Sequence, residues 1–162
     1  MRVLVTVGAQ MPFDRLVGAV DRWAERCESA DVFAQIGDAG LVPRHMAHTR
    51  FLSPRDYLQE VERATVLVAH AGMGSILTAL EHGKPIVVMP RRGDLAETRN
   101  DHQLATAKAF CERGCVAAVY SDRDLAAVLD DVDALESGAP IPSSAPRQFL
   151  DSLRAFALEG RS

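Results

Sequence analysis

The chain has 162 residues, 48% of them hydrophobic and 25% charged, with a formal net charge of −4 at pH 7. That length fits a single domain with a sizeable core, and the balance is that of an ordinary globular protein. The acidic net charge argues against a nucleic-acid binder working through a basic face, and no apolar run approaches the roughly 20 residues of a membrane span.

In chain order, Met1-Arg2 leads straight into Val3–Val7, an apolar run without a cleavable signal pattern, and the first predicted strand. Further strand patterns follow at Val32–Ile36, Arg50–Leu52, Val66–Ala69, Ile86–Met89 and Val116–Tyr120. Helical patterns lie between them at 14–27, 54–64, 75–82, 99–113 and 122–135. Ser53-Pro54-Arg55-Asp56 sets a cap, a first-turn proline and an acidic third residue in order, and Ser121-Asp122-Arg123-Asp124 repeats the cap. The strands are continuous Val/Ile/Leu runs, as expected when both faces of a sheet are covered. Alternating strands and helices of this kind predict a single Rossmann-like, doubly wound parallel α/β sheet over residues 1–137. In that architecture ligands sit at the carboxyl ends of the strands, where Gly8, His70 and the segment from Pro90 fall. Residues 138–146, rich in proline and serine, read as a linker. Behind it, Phe149, Leu150, Leu153 and Phe156 mark an amphipathic helix over 147–158 that packs on its own domain or crosses to another surface.

The most informative stretch is His70-Ala71-Gly72-Met73-Gly74-Ser75, between a strand and a helix that ends at Gly83-Lys84-Pro85. A helix N-terminus presents unpaired N–H groups and a favourable dipole to an anion such as phosphate. Gly72 and Gly74 allow close approach of a ligand to the backbone. Ser75 adds a hydroxyl donor, and His70 an imidazole within reach of the same anion. The alternative is a tight turn whose glycines serve packing. Gly72-x-Gly74 lacks the third glycine of a dinucleotide fingerprint.

Other clusters carry less. Cys27, Cys111 and Cys115 form no metal-ligand framework, and Glu81-His82 has no second ligand at the required spacing. No metal is therefore expected. The odd cysteine count suggests a reducing, cytoplasmic setting. Arg91-Arg92 with Arg99 could steer an anion or form a solvated loop. His45 and His48 have no partner in sequence.

The run from His70 to Pro85, then Ile86-Val-Val-Met-Pro90 and Arg99-Asn-Asp-His-Gln-Leu104, resembles the nucleotide-sugar motif of glycosyltransferase family 28. Specifically, it resembles the C-terminal, donor-binding half of a GT-B fold. The opening Val5-Thr-Val-Gly8 and Phe13-Asp14 resemble a stand-alone subgroup, the soluble subunits of two-component UDP-GlcNAc and exopolysaccharide transferases. The resemblance implies a UDP-sugar as donor substrate and no cofactor. It implies that the turn of Gly72, Met73, Gly74 and Ser75 holds the diphosphate, with His70 contacting diphosphate or sugar as the catalytic residue. Asn100, His102 and Gln103 would meet the sugar hydroxyls, an amide suiting a polyol as donor and acceptor together. Leu52 and Ser53 would read the uracil edge through their backbone, and Gly8 would face the same cleft. Thr78 departs from the family, which often has an acidic residue there for the ribose; Glu81, one turn on, is the available substitute.

A full GT-B enzyme has two such domains, and this chain is about half that size. The resemblance thus implies a donor-binding subunit acting on a lipid-linked acceptor. It would sit at the inner membrane face, held there by a membrane-anchored subunit that carries the acceptor site. A self-sufficient homodimer and a non-catalytic nucleotide-sugar binding module are the alternatives. No nucleic-acid partner is expected.

Overall fold

A computed structural model describes residues 1–138, apart from Gln10, Glu28, Ala39, Asn100 and Glu136. The strands are β1 (Arg2–Thr6), β2 (Asp31–Gln35), β3 (Ala47–Thr49), β4 (Val66–His70), β5 (Ile86–Met89) and β6 (Ala117–Ala118). The helices are α1 (Asp14–Arg26), α2 (Pro54–Arg63), α3 (Met73–Glu81), α4 (His102–Glu112) and α5 (Asp122–Asp130). The six strands form one parallel sheet in the order β3-β2-β1-β4-β5-β6. This is the doubly wound order expected from the sequence, with its reversal between β1 and β4.

Strand periodicity of two sorts the core onto the two faces. Val3 and Val5 of β1, Val66 and Val68 of β4, and Val87 and Met89 of β5 pack with Leu16, Val20 and Trp23 of α1 and Leu125 of α5. The intervening Leu4, Leu67, Ala69, Ile86 and Val88 pack with Val61 of α2, Ile76 and Leu80 of α3, and Ala107 of α4. Trp23 buries its ring and still donates its indole N–H to Asp130 at 2.8 Å, so its polar atom is satisfied.

The helix ends follow local rules. Ser53 Oγ accepts from the Asp56 N–H and Ser121 Oγ from the Asp124 N–H, each at 3.2 Å. Gly83 takes a left-handed φ of 60° after α3. Lys84 then donates to the Glu62 and Ala64 carbonyls at 2.7 and 2.8 Å, satisfying the exposed end of α2.

Some boundaries differ from the sequence expectation. The third strand lies at Ala47–Thr49 rather than Arg50–Leu52. The chain turns out of the sheet at Arg50, whose carbonyl accepts from Gly37 N–H at 2.8 Å and Gln35 Nε2 at 2.9 Å. Phe51 and Leu52 are thereby delivered to the cleft instead of the ladder. The last strand shrinks to Ala117–Ala118, α4 begins at His102, and α5 stops at Asp130 before a short 3₁₀ turn at Val132–Ala134. The expected linker after Gly138 and the helix over 147–158, with Phe149, Leu150, Leu153 and Phe156, lie outside the described residues. Among the described residues, no helix is long and apolar enough to cross a membrane.

Candidate functional site

The sheet order places the carboxyl ends of β1 and β4 side by side at the reversal point. Two cavities open there. The larger, about 440 Å³, is bounded by Thr6, Gln35, Phe51, Leu52, Tyr57 and the α3 residues Gly74, Ser75 and Thr78. The smaller, about 140 Å³, is bounded by Met11, Arg91, Thr98, His102 and Gln103. Gly8, Ala9 and His70 line both, so the imidazole stands on the partition between them.

Two glycines make room for that ring. Gly8 has φ +78°, and a Cβ there would stand 2.7 Å from His70 Cε1 and 2.9 Å from Nε2. A Cβ on Gly72 would collide with His70 Nε2. The space over Gly72 is therefore filled by His70, whereas Gly74 has nothing within 4 Å of its would-be Cβ. Of the two glycines in the turn, Gly74 is the one open to a ligand. Gly72 is the N-cap of α3 without a side-chain cap, so the leading amides at Met73, Gly74 and Ser75 rely on other partners. The Met73 side chain is 46% exposed and lines neither cavity; its backbone alone belongs to the turn.

His70 is neutral at physiological pH. Burial first, and the charge of Arg91 second, push its pKa down from 6.5 to about 4, while the Thr6 main chain pulls modestly the other way. That backbone influence does not amount to a formed bond: Nδ1 is buried and has no hydrogen-bond partner of ordinary geometry among the described residues. The imidazole as a whole is only partly buried and stands beside the α3 N-terminus, where the helix dipole favours an anion.

The floor of the larger cavity is tied together by a polar pair. Thr6 Oγ1 donates to Gln35 Oε1 at 2.8 Å. Gln35 Nε2 donates to the Gly8 carbonyl at 3.2 Å and the Arg50 carbonyl at 2.9 Å. One amide thus holds both loops that flank the cavity.

On the other side, Arg91 is only 4% exposed. Its guanidinium donates to the Val7, Met11, Pro12 and Glu97 carbonyls at 2.5–3.3 Å and lies 4.6 Å over the Phe13 ring. The expectation that Arg91 steers an anion from the surface is therefore corrected: its donors hold the loop after β1. Arg92 is paired with Asp94. Arg15 grips Glu97 through two bonds at 2.7 and 2.8 Å, and Glu97 also accepts the Arg92 N–H at 2.9 Å. This network fixes the loop that delivers α4. Gln103, 8% exposed, accepts the Arg91 N–H on Oε1 at 3.1 Å, which leaves its Nε2 as the group for a ligand.

The remaining expected residues are placed as follows. Leu52 and Thr78 line the larger cavity. Ser53 sits at its rim between Leu52 and Pro54 with its hydroxyl spent on the α2 cap, so only its backbone remains for a ligand. His102 is exposed at the smaller cavity. Asn100 lies outside the described residues. Glu81 is exposed and lines neither cavity, and no carboxylate lines either one among the described residues. Those residues also hold no cluster of three or more metal-ligating side chains. Sequence reasoning missed Thr6, Gln35, Phe51 and Tyr57. Thr6 and Gln35 had a signal, as polar residues closing otherwise apolar strands. Phe51 and Tyr57 had none, since their places depend on where β3 ends.

The sequence model of the glycosyltransferase family 28 C-terminal domain matches residues 2–148. The chain belongs to this family. Family membership agrees with the resemblance carried by the His70–Pro85 run. A human relative, the UDP-N-acetylglucosamine transferase subunit ALG13, is 34% identical over 122 residues, covering 69% of this chain and 10% of the relative. This family 28 domain therefore spans about a tenth of that relative's length. The solution structure of an ALG13 superposes with TM-score 0.61 at 21% identity, covering 94% of each chain. The calicheamicin glycosyltransferase CalG4 superposes with TM-score 0.63 at 16% identity, covering 99% of this chain and 44% of that one. The fold is the Rossmann-like α/β unit of GT-B glycosyltransferases.

Proposed function

We propose that this chain is the donor-binding subunit of a two-component glycosyltransferase that moves a sugar from a UDP-sugar to a lipid-linked acceptor. The observation that carries the reading is the meeting of two cavities at His70, over the uncapped N-terminus of α3. The family and the subunit named in the human relative support it. Uridine occupies the larger cavity, with the uracil edge at the backbone of Leu52 and Ser53. The diphosphate lies over Gly74 and Ser75, and the sugar reaches the smaller cavity beside Gln103 and His102.

In this reading the bond between the anomeric carbon and the β-phosphate oxygen breaks, and the electron pair leaves with the diphosphate. The growing charge meets the α3 amides, the Ser75 hydroxyl and the His70 imidazole, groups already oriented before reaction. Gln103 Nε2 holds a sugar hydroxyl. No metal is assigned a role. The acceptor pocket and the base come from a membrane-anchored partner at the inner membrane face.

The test is reconstitution. The purified chain alone should bind UDP weakly and transfer no sugar; with its partner subunit it should do so, and undiminished by a chelator. UDP-induced amide shifts should map to Gly8, His70–Ser75 and Gln103. Transfer by the chain alone would favour a self-sufficient homodimer. Sugar binding without transfer in any complex would favour a non-catalytic module.

A further inference from the structure

Gln35 closes β2 with an amide that is only 6% exposed, and it lines the larger cavity. Burying an amide is costly unless its groups are bonded. Here each of them is. Oε1 accepts from Thr6 Oγ1 at 2.8 Å, while Nε2 donates to the Gly8 carbonyl at 3.2 Å and the Arg50 carbonyl at 2.9 Å. A primary amide has two N–H donors, so no donor is left for a ligand. Whatever Gln35 does for the cavity, it does through the two carbonyls it holds.

The carbonyls around Arg50 are nearly all spent inside the protein. That of Thr49 accepts from the Ile36 N–H at 2.9 Å, that of Arg50 also from the Gly37 N–H at 2.8 Å, that of Phe51 from Thr49 Oγ1 at 3.2 Å, and that of Ser53 from the Tyr57 N–H at 2.9 Å. Among the described residues, the Leu52 carbonyl is the one in this run without a partner, and Leu52 lines the larger cavity. The other held carbonyl belongs to Gly8, which packs against the His70 ring. We propose that Gln35 is a positioning residue for nucleobase recognition: its amide ties the Arg50 carbonyl to that of Gly8, and so holds the free Leu52 main chain at a fixed place relative to His70, ready for the edge of a pyrimidine. Without the tie, the run from Arg50 to Ser53 has to be ordered when the ligand binds, and that ordering subtracts from affinity. The proposal rests on the larger cavity being the nucleotide site, as inferred above.

Amide shifts on the full chain, titrated with UDP and extrapolated to saturation, test it residue by residue. Gln35→Met keeps the length of the side chain and removes both donors. It should weaken UDP by about five-fold or more, the worth of at least one ordinary hydrogen bond. At saturation the UDP-induced shifts at Leu52 and Ser53 should shrink, while those at Gly74 and Ser75 keep their size. A purely structural role would shrink both sets together. Thr6 supplies a gentler pair of variants. Thr6→Val leaves Oε1 unmet and should reproduce the selective loss at Leu52 and Ser53. Thr6→Ser keeps the hydroxyl and should restore those shifts, although it gives up a buried methyl and melts lower. If Gln35→Met does not fold, the Thr6 pair decides alone. Unchanged shifts at Leu52 and Ser53, equal losses at both sets, or shifts that follow the melting midpoint across the Thr6 pair each overturn the proposal. Failure of the unsubstituted chain to bind UDP overturns the nucleotide reading itself, which is a separate result.

Discussion

His70 couples the fold to pH in a way that can be measured without substrate. In the unfolded chain its imidazole titrates near 6.5, and in the folded chain near 4. Between those values the unfolded state binds the proton and the folded state does not. Stability from this group is therefore fully present above about pH 6.5 and is lost as pH falls toward 4. The gap is worth roughly 3 kcal/mol over the whole window, a large share of the ~5–15 kcal/mol of a typical domain. His70→Asn is the cleanest perturbation. It removes the titration, keeps a polar side chain, and avoids the ring-sized void that alanine would leave between Gly8 and Gly72. Urea unfolding of both proteins at pH 7, 6, 5 and 4.5 gives two stability profiles. The difference between them should change by about 2–3 kcal/mol across the series, with the parent losing more on acidification. Carboxylates titrate in both proteins and cancel in that difference. Parallel profiles would refute the argument, because they would mean that His70 protonates equally in the folded and unfolded states.

The same burial predicts ligand linkage: a bound diphosphate raises the His70 pKa, so UDP-sugar affinity should increase several-fold from pH 7.5 to 5.5 in the parent and stay flat in His70→Asn, read by calorimetry in two buffers. The two glycines of the turn should separate. Gly72→Ala forces its Cβ onto His70 Nε2 and should cost about 1–3 kcal/mol of stability together with UDP binding, whereas Gly74→Ala, facing open space, should lose UDP binding at near-normal stability. Arg91→Lys keeps the charge but cannot bond four carbonyls at once. It should destabilise by at least about 2 kcal/mol in urea and broaden amide signals of the Gly8–Phe13 loop.

Most of the architecture was legible in the chain. The apolar runs at Val3, Val66 and Ile86 named the central strands, and their double-sided burial followed from having no polar alternation. Ser53-Pro54 and Ser121-Asp122 marked their helices because a cap is a matter of three or four neighbouring residues. The turn His70–Ser75 was legible as a glycine-rich helix N-terminus for the same local reason. Residues 47–52 did not yield to this reasoning. The choice between ladder and cleft there was made by Gln35 and Gly37, which take the Arg50 carbonyl.

By itself, then, the sequence determined the alternation of strands and helices, the caps that bound them, and the presence of a glycine-rich helix N-terminus. All of these rest on interactions within a few residues. The tertiary structure decided what the individual side chains near that terminus are for. Gly72 became the seat of an imidazole rather than of a ligand, and Arg91 a clamp on four carbonyls rather than a surface charge. These roles depend on which distant segments the parallel sheet brings within a few ångströms, and on the low polarity of the space between them.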